Sequence, residues 1–262
     1  MVSKDAASYN WVLLLPAGKV IPKIIHQIYF SKNAMPENLK NNTARLQIMN
    51  PEWEHRLYDM DRMVDFILMH YGERMLSYFL RISPKYGAVK ADLFRYLMMY
   101  QCGGVYLDIK STLSVPLNDI VKSDDHYLLS HWRNKQGEKF HDWGMHGEIS
   151  FTGAGEFQQW HIIAEPGHPF LRAVIERVIS NIDQYKSSTN GVGFHGVMRL
   201  ASGIPYTLAI WPLLEKFPYR LVDSQFELGL VYSIFEKTWQ SHNELFGDAD
   251  YRYQIEPIII GQ

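Results

Sequence analysis

The sequence is poor in cysteine, because Cys102 is the only one among 262 residues. It cannot form a disulfide within the chain, and a zinc site built from cysteines is excluded. Four histidines fall between residues 131 and 161, but no compact pair with His-X-X-X-His spacing occurs among them. The chain therefore has neither a disulfide framework nor a zinc-finger pattern, and its cysteine content suits a reducing compartment.

The sequence also has little excess charge and few long apolar runs. The formal net charge is −2, so no basic field favours nucleic acid as a partner. The apolar run at residues 11–15 is far shorter than the ~20 residues that cross a bilayer. The first residues include Asp5 and lack a signal-peptide pattern. We therefore expect no nucleic-acid partner, no transmembrane segment and a cytoplasmic location.

Apolar and aromatic residues are plentiful, at 47% and 14% of the chain, which is enough for the core of one large α/β domain over residues 1–262. The patterns predict strands near 23–29, 55–58, 104–108, 126–131, 148–152 and 258–260. They predict helices near 37–48, 61–70, 73–81, 86–101, 169–183 and 206–216. Strands that alternate with helices indicate a mixed, mainly parallel sheet flanked by helices.

The most informative stretch is 86–110, which reads as a helix, a glycine stop, a short buried strand and an acid. One apolar helix face is predicted from residues at helical spacing: Val89, Leu93, Leu97 and Tyr100. Asp92 and Arg95 share another face. Asp108 follows the strand at the edge where open α/β sheets bind ligands. Two interpretations stay open: a functional site, or a surface ion pair with an ordinary turn residue.

Two segments of this stretch resemble the core of glycosyltransferase family 32, namely Ala-Asp-Leu-Phe-Arg-Tyr at 91–96 and Gly-Gly-Val-Tyr-Leu-Asp at 103–108. Residues 21–29, 50–59, 165–171 and 202–207 are similar to further signatures in the family's order. The resemblance implies a GT-A type, Rossmann-like fold. It also implies an enzyme that moves a sugar, with retention of configuration, from a UDP- or GDP-sugar to a glycan, glycoprotein or other hydroxyl acceptor.

The resemblance assigns roles to individual residues as well. It implies that the donor is bound by residues of the first strand and the central motif: His26, Gln27, Tyr29, Asp92, Arg95, Tyr106 and Asp108. Asp92 and Arg95 would hydrogen-bond the donor sugar, and Asp108 would bind ribose or a metal and take part in catalysis.

The sequence departs from the family pattern at Lys110, because the usual Asp-X-Asp triplet is here Asp-Ile-Lys. A divalent cation, Mn²⁺ or Mg²⁺, could be held by Asp108 and a distant acid, for which Asp250 in the C-terminal segment 248–258 is the candidate. Alternatively, Lys110 is catalytic and supplies the positive charge that a diphosphate leaving group needs. A third interpretation is a non-catalytic nucleotide- or carbohydrate-binding protein with a decayed metal motif, or a Lys110 that faces solvent.

The segment from 131 to 161 lacks periodicity and is rich in tryptophan and histidine. Aromatic faces suit sugars, so Trp132 and Trp160 are candidates for acceptor binding. A surface loop with buried tryptophan anchors is the alternative, and the four histidines also raise the hypothesis of a metal cluster.

Overall fold

The computed structural model describes residues 9–30, 35–235 and 250–261. In these ranges the strands are β1 (Ile24–Ile28), β2 (Glu54–Tyr58), β3 (Gly104–Leu107), β4 (Thr112–Leu113), β5 (Tyr127–Leu129), β6 (His161–Ala164), β7 (Arg220–Leu221) and β8 (Leu230–Val231). The α-helices are α1 (Glu37–Met49), α2 (Met60–Arg81), α3 (Gly87–Cys102), α4 (Leu117–Ile120), α5 (Pro169–Asp183), α6 (Ser187–Asn190), α7 (Gly193–Leu200) and α8 (Gly203–Ile210). Among these described helices, none combines the length and apolar character that a bilayer crossing requires.

The main sheet has six strands in the order β2-β1-β3-β6-β5-β7. Strand β1 runs parallel to both β2 and β3, and β5 runs parallel to β7. Strand β6 is antiparallel to both of its neighbours, β3 and β5. The expected mixed, mainly parallel sheet flanked by helices is therefore confirmed.

Side chains of the central strands alternate between two apolar clusters on opposite faces of the sheet. In β3, Tyr106 joins the larger cluster, whereas Val105 and Leu107 join the smaller one. The larger cluster includes residues of α2, α3, α5, α7 and α8, and the smaller one includes residues of α1 and α4. This two-residue period places helices on both faces of the sheet, as its buried parallel part requires.

Helix α3 lies inside the larger cluster and is buried on every side. All residues from Val89 to Tyr100 are buried, which is more than the predicted single apolar face. The helix contacts α2, α5 and α7 as well as β3. Because no face of its central turns meets bulk water, any charged residue there must find partners within the protein.

Several predicted elements match the structure and others do not. The two helices predicted at 61–70 and 73–81 form one element, α2, that is broken at Gly72, where φ is +73° and glycine is favoured. The predicted strand at 148–152 is a 3₁₀-helix, Gly147–Thr152, and residues 258–260 contribute only an isolated bridge between Ile82 and Ile259. Strand β6 was not predicted, because a buried run of four residues shows no alternation that would identify it.

His26 lies within β1 and is fully buried. Its Nδ1 is 3.1 Å from the hydroxyl of Tyr58 in β2, and its Nε2 is 3.0 Å from the carbonyl oxygen of Gly103. Burial lowers the pKa of the imidazole to about 3. His26 therefore links β1 to its neighbours as a neutral side chain.

We predict that acidification below the pKa of an unfolded histidine, about 6.5, destabilises the fold. Burial also lowers the pKa of His161 to about 3, as it does for His26. Between these values the unfolded chain binds more protons than the folded chain, so stability present above pH 6.5 is lost as pH falls. Each histidine should contribute on the order of a few kcal/mol. Denaturant unfolding at a series of pH values measures this loss.

His26→Gln should be less stable near neutral pH but should lose less stability on acidification. The exposed residue His195 offers a matched control, and His195→Gln should follow the wild-type profile. A wild-type pH slope in His26→Gln would contradict the assignment.

Candidate functional site

A cavity of about 1380 Å³ opens where β1 and β3 end. Its lining includes Tyr29 and Phe30, which follow β1, and Asp108 and Lys110, which follow β3. Asp92 and Arg95 line it from α3. The carboxyl edge of an open α/β sheet is the usual place for a ligand site.

Arg95 is the centre of a buried charged group in this cavity. Its Nη2 is 3.0 Å from Oδ1 of Asp92, and its Nη1 is 3.2 Å from Oδ1 of Asp108. The Arg95 and Asp92 side chains are 7% and 4% exposed, so the surface ion pair considered from sequence is wrong. The guanidinium also lies over the ring of Tyr106, 4.7 Å from its centroid. These contacts join α3 to the end of β3.

Gln159 connects this group to α8, and nothing in the sequence singled it out. Its Oε1 accepts a hydrogen bond of 2.6 Å from Arg95 Nη1. Its Nε2 donates to Ser202 Oγ at 2.9 Å and approaches Asp92 Oδ1 at 3.4 Å. A lone glutamine in an irregular segment has no spacing that would identify it.

Two carboxylates share the one guanidinium. Burial raises the pKa of Asp92 and the nearby charge of Asp108 adds to this, whereas Arg95 lowers it. Burial alone would lower the pKa of Arg95, but Tyr106, Asp108 and Asp92 together raise it above its ordinary value. The guanidinium therefore stays charged, and it holds both acids in fixed positions.

Asp108 and Lys110 follow β3 and both line the cavity. The Asp108 amide donates to the Trp160 carbonyl at 2.9 Å, and its Oδ1 accepts a 2.8 Å bond from the Tyr106 hydroxyl. Lys110 is only 7% exposed, and its Nζ donates to the Tyr232 hydroxyl at 2.9 Å. Lys110 therefore does not face solvent, and its charge lies at the cavity wall.

Residues 36–127 match a family model described as a glycosyltransferase sugar-binding region containing a DXD motif. This range includes α3, β3 and the triplet at 108–110. This part of the chain is therefore similar to the sugar-binding region of that glycosyltransferase family.

Sequence relatives agree with this assignment. The initiation-specific alpha-1,6-mannosyltransferase of Schizosaccharomyces pombe is 27% identical over 204 residues, which cover 73% of this chain and 48% of that protein. Inositol phosphoceramide mannosyltransferase 3 of the same organism is 32% identical over 101 residues, covering 38% of this chain and 27% of that protein. The chain thus spans about half the length, or less, of these curated relatives.

Solved structures show the fold. The PaToxG glycosyltransferase superposes with a TM-score of 0.50 at 17% identity, covering 76% of this chain and 72% of that one. The ligand-free glycosyltransferase domain of the YGT toxin gives a TM-score of 0.53 at 7% identity, covering 83% and 82%. The expected GT-A type fold is therefore confirmed.

Glycosyltransferases with a DXD motif generally use a divalent cation. Within residues 9–30, 35–235 and 250–261, no three His, Cys, Asp or Glu side chains are grouped to hold one. Asp108 Oδ1 already contacts Arg95 and Tyr106, and both Asp250 oxygens accept hydrogen bonds from Arg252. With Lys110 at the second acid position, the described side chains do not fit a cation held by protein ligands.

The remaining predicted donor residues divide into two groups. Tyr29 and Tyr106 line the cavity. His26 and Gln27 are fully buried and do not line it. The Oε1 of Gln27 is 3.0 Å from Nε2 of His55. Gln27 therefore links β1 to β2, as His26 does. Direct donor contact by His26 and Gln27 is therefore not supported by this geometry.

Trp132 and Trp160 both line the cavity, as an acceptor site would need. They also belong to an aromatic cluster with Tyr232, whose ring centroid lies 5.1 Å from that of Trp132 and 5.4 Å from that of Trp160. Trp132 and Trp160 thus pack as buried residues and also form part of the cavity wall. Asp248 and Ala249 of the predicted C-terminal segment lie outside the described residues.

We predict that Arg95→Met destabilises the protein by about 3–5 kcal/mol, because the buried Asp92 and the partly buried Asp108 lose their shared cation. Denaturant unfolding measures this change in the free energy of unfolding. Arg199, which pairs with Glu148 at the surface, is the control, and Arg199→Met should cost less than about 1 kcal/mol. Equal losses in the two variants would show that Arg95 is not the buried link described here.

Proposed function

We propose that this chain transfers a glycosyl group from a nucleoside diphosphate sugar to a hydroxyl group of a glycan or another acceptor. The observation that carries the proposal is the buried group of Asp92, Arg95 and Asp108, which faces a large cavity within the matched sugar-binding region. Because this chain covers half or less of these relatives, the activity of the whole protein is itself part of what we propose.

We assign the donor to the side of the cavity formed by α3 and the ends of β1 and β3. The carboxylates of Asp92 and Asp108 can accept hydrogen bonds from sugar hydroxyls. Arg95 holds them in position and offers a planar fork that suits vicinal hydroxyls or a phosphate oxygen. Tyr29 and Tyr106 lie at the same end and provide aromatic walls for the nucleotide.

The relatives named above are mannosyltransferases, so GDP-mannose is the first donor to test. The resemblance to their family also favours retention of the anomeric configuration, which the NMR spectrum of the product would reveal. Trp132 and Trp160 also line the cavity, and we assign the acceptor to the part of the cavity beside them.

Lys110 takes the position of the family's second aspartate, and we assign it the neutralisation of the departing diphosphate. A fixed positive charge in a partly dry site can stabilise developing negative charge without reorganisation. Its contact with the Tyr232 hydroxyl holds the ammonium at the cavity wall. In this proposal, the Lys110 ammonium supplies the positive charge that a metal ion bound by an aspartate at the same position would supply.

We predict that the protein is stabilised by nucleoside diphosphate sugars and that Asp108→Asn reduces transfer by on the order of 100-fold or more. The asparagine keeps the shape of the side chain but removes the charge beside Arg95. A thermal-shift panel of UDP- and GDP-sugars measures binding, since a ligand of the native state raises the melting temperature. Transfer by Asp108→Asn at the wild-type rate would contradict the assignment.

A non-catalytic binding protein is the second candidate, favoured by the loss of the second acid at Lys110. The same panel separates the two functions. Binding of a nucleotide sugar without hydrolysis or transfer, tested over a broad set of acceptors, would favour the second candidate.

We predict that transfer persists when a chelator is in excess, and that Lys110→Ala lowers turnover by on the order of 100-fold while donor affinity changes less. Lys110→Asp restores Asp-X-Asp and should make the residual activity depend on added Mn²⁺. Tyr232→Phe removes the hydroxyl bonded to Lys110 but keeps both the ring and the ammonium, so it should lower turnover less than Lys110→Ala does. Complete loss with chelator and full recovery with Mn²⁺ in the wild type would defeat the role given to Lys110.

A further inference from the structure

The cavity contains a second polar group that the proposed donor site does not use. Glu156 and His146 both line the cavity, and their side chains are 10% and 20% exposed. Glu156 Oε2 and His146 Nε2 lie 3.3 Å apart. Within the part of the chain that the structure describes, neither atom makes a hydrogen bond, although both are buried.

One oxygen of Glu156 is hydrogen-bonded within the protein, and the other makes no hydrogen bond among the described residues. Its Oε1 accepts a 2.8 Å hydrogen bond from the indole Nε1 of Trp132. Its Oε2 lies against Gly203, where a Cβ atom would come within 1.8 Å of it. A buried carboxylate oxygen without a donor is costly, so this arrangement favours a donor that arrives with a ligand.

Glu156 lies at the start of α8 and near the donor group. Gly203 is the first residue of α8, and the N-terminal end of a helix stabilises negative charge. The charge of Glu156 is also close enough to raise the pKa of Asp92. Glu156 therefore lies near the donor group within the same cavity.

We infer that Glu156 and His146 form the subsite that receives the hydroxyl group of a sugar acceptor. This inference rests on the proposed function. Glu156 Oε2 accepts the hydrogen bond of the attacking hydroxyl, and His146 Nε2 offers a second polar contact beside it. Trp143 lines the cavity, is 36% exposed and lies 5.2 Å from Trp132 between ring centroids, so it offers an aromatic face for the acceptor ring.

The test compares transfer to methyl glycosides of mannose, glucose and galactose with hydrolysis of the same donor by water. Glu156→Gln should bind the donor as the wild type does, by calorimetry, while transfer falls by on the order of 100-fold and hydrolysis becomes the main reaction. His146→Gln should act in the same direction, by about tenfold. Because His146 is less buried, it keeps the test valid if Glu156→Gln fails to fold.

The matched control is Glu148→Gln, which changes a carboxylate of the same segment that pairs with Arg199 and does not line the cavity. It should leave both reactions unchanged. Wild-type transfer by Glu156→Gln, or a parallel loss of donor affinity, would overturn the inference. Donor hydrolysis by the wild type without transfer to any of these sugars would overturn it too. A wild type that binds no nucleotide sugar would instead overturn the proposed function.

Discussion

The buried guanidinium of Arg95 is the interaction on which the rest of the cavity depends. It is the one partner shared by Asp92 on α3 and Asp108 after β3, and it also binds Gln159. A charge this deeply buried is tolerated only when its donors are satisfied and its charge is balanced. Because these partners come from three separate segments, the same contacts that satisfy the guanidinium also fix the shape of the cavity wall.

Around this centre the cavity separates into walls of different chemistry. The wall made by α3 and the strand ends carries the charged group and the aromatic residues Tyr29 and Tyr106. The irregular segment at 131–161 adds tryptophans, His146 and Glu156 to the lining. Under the proposed function, the charged group would hold the donor, and the residues of segment 131–161 would hold a neutral hydroxyl acceptor beside it.

Lys110 marks where this chain differs from the Asp-X-Asp pattern of the glycosyltransferase family that it resembles. In a site with two acids, a cation brings the positive charge and the protein supplies the ligands. Under the proposal, Lys110 supplies the positive charge instead, and its Nζ donates a hydrogen bond to the Tyr232 hydroxyl. A covalently attached ammonium cannot leave the site, so charge neutralisation would not depend on the supply of metal.

The sequence by itself determined the elements with clear periodicity or punctuation, such as α1, α3, α5 and the break at Gly72, together with the placement of Asp108 after β3. It also identified Asp92 and Arg95 through their spacing on one helix, and Lys110 through its departure from the Asp-X-Asp triplet of the family that the sequence resembles. Only the tertiary structure decided that α3 is buried on all sides, that β6 pairs antiparallel in the sheet, and that Gln159, Glu156 and His146 reach the same cavity. Those contacts join residues far apart in the chain, and their geometry depends on sheet pairing and packing, which leave no periodic signal in an irregular segment.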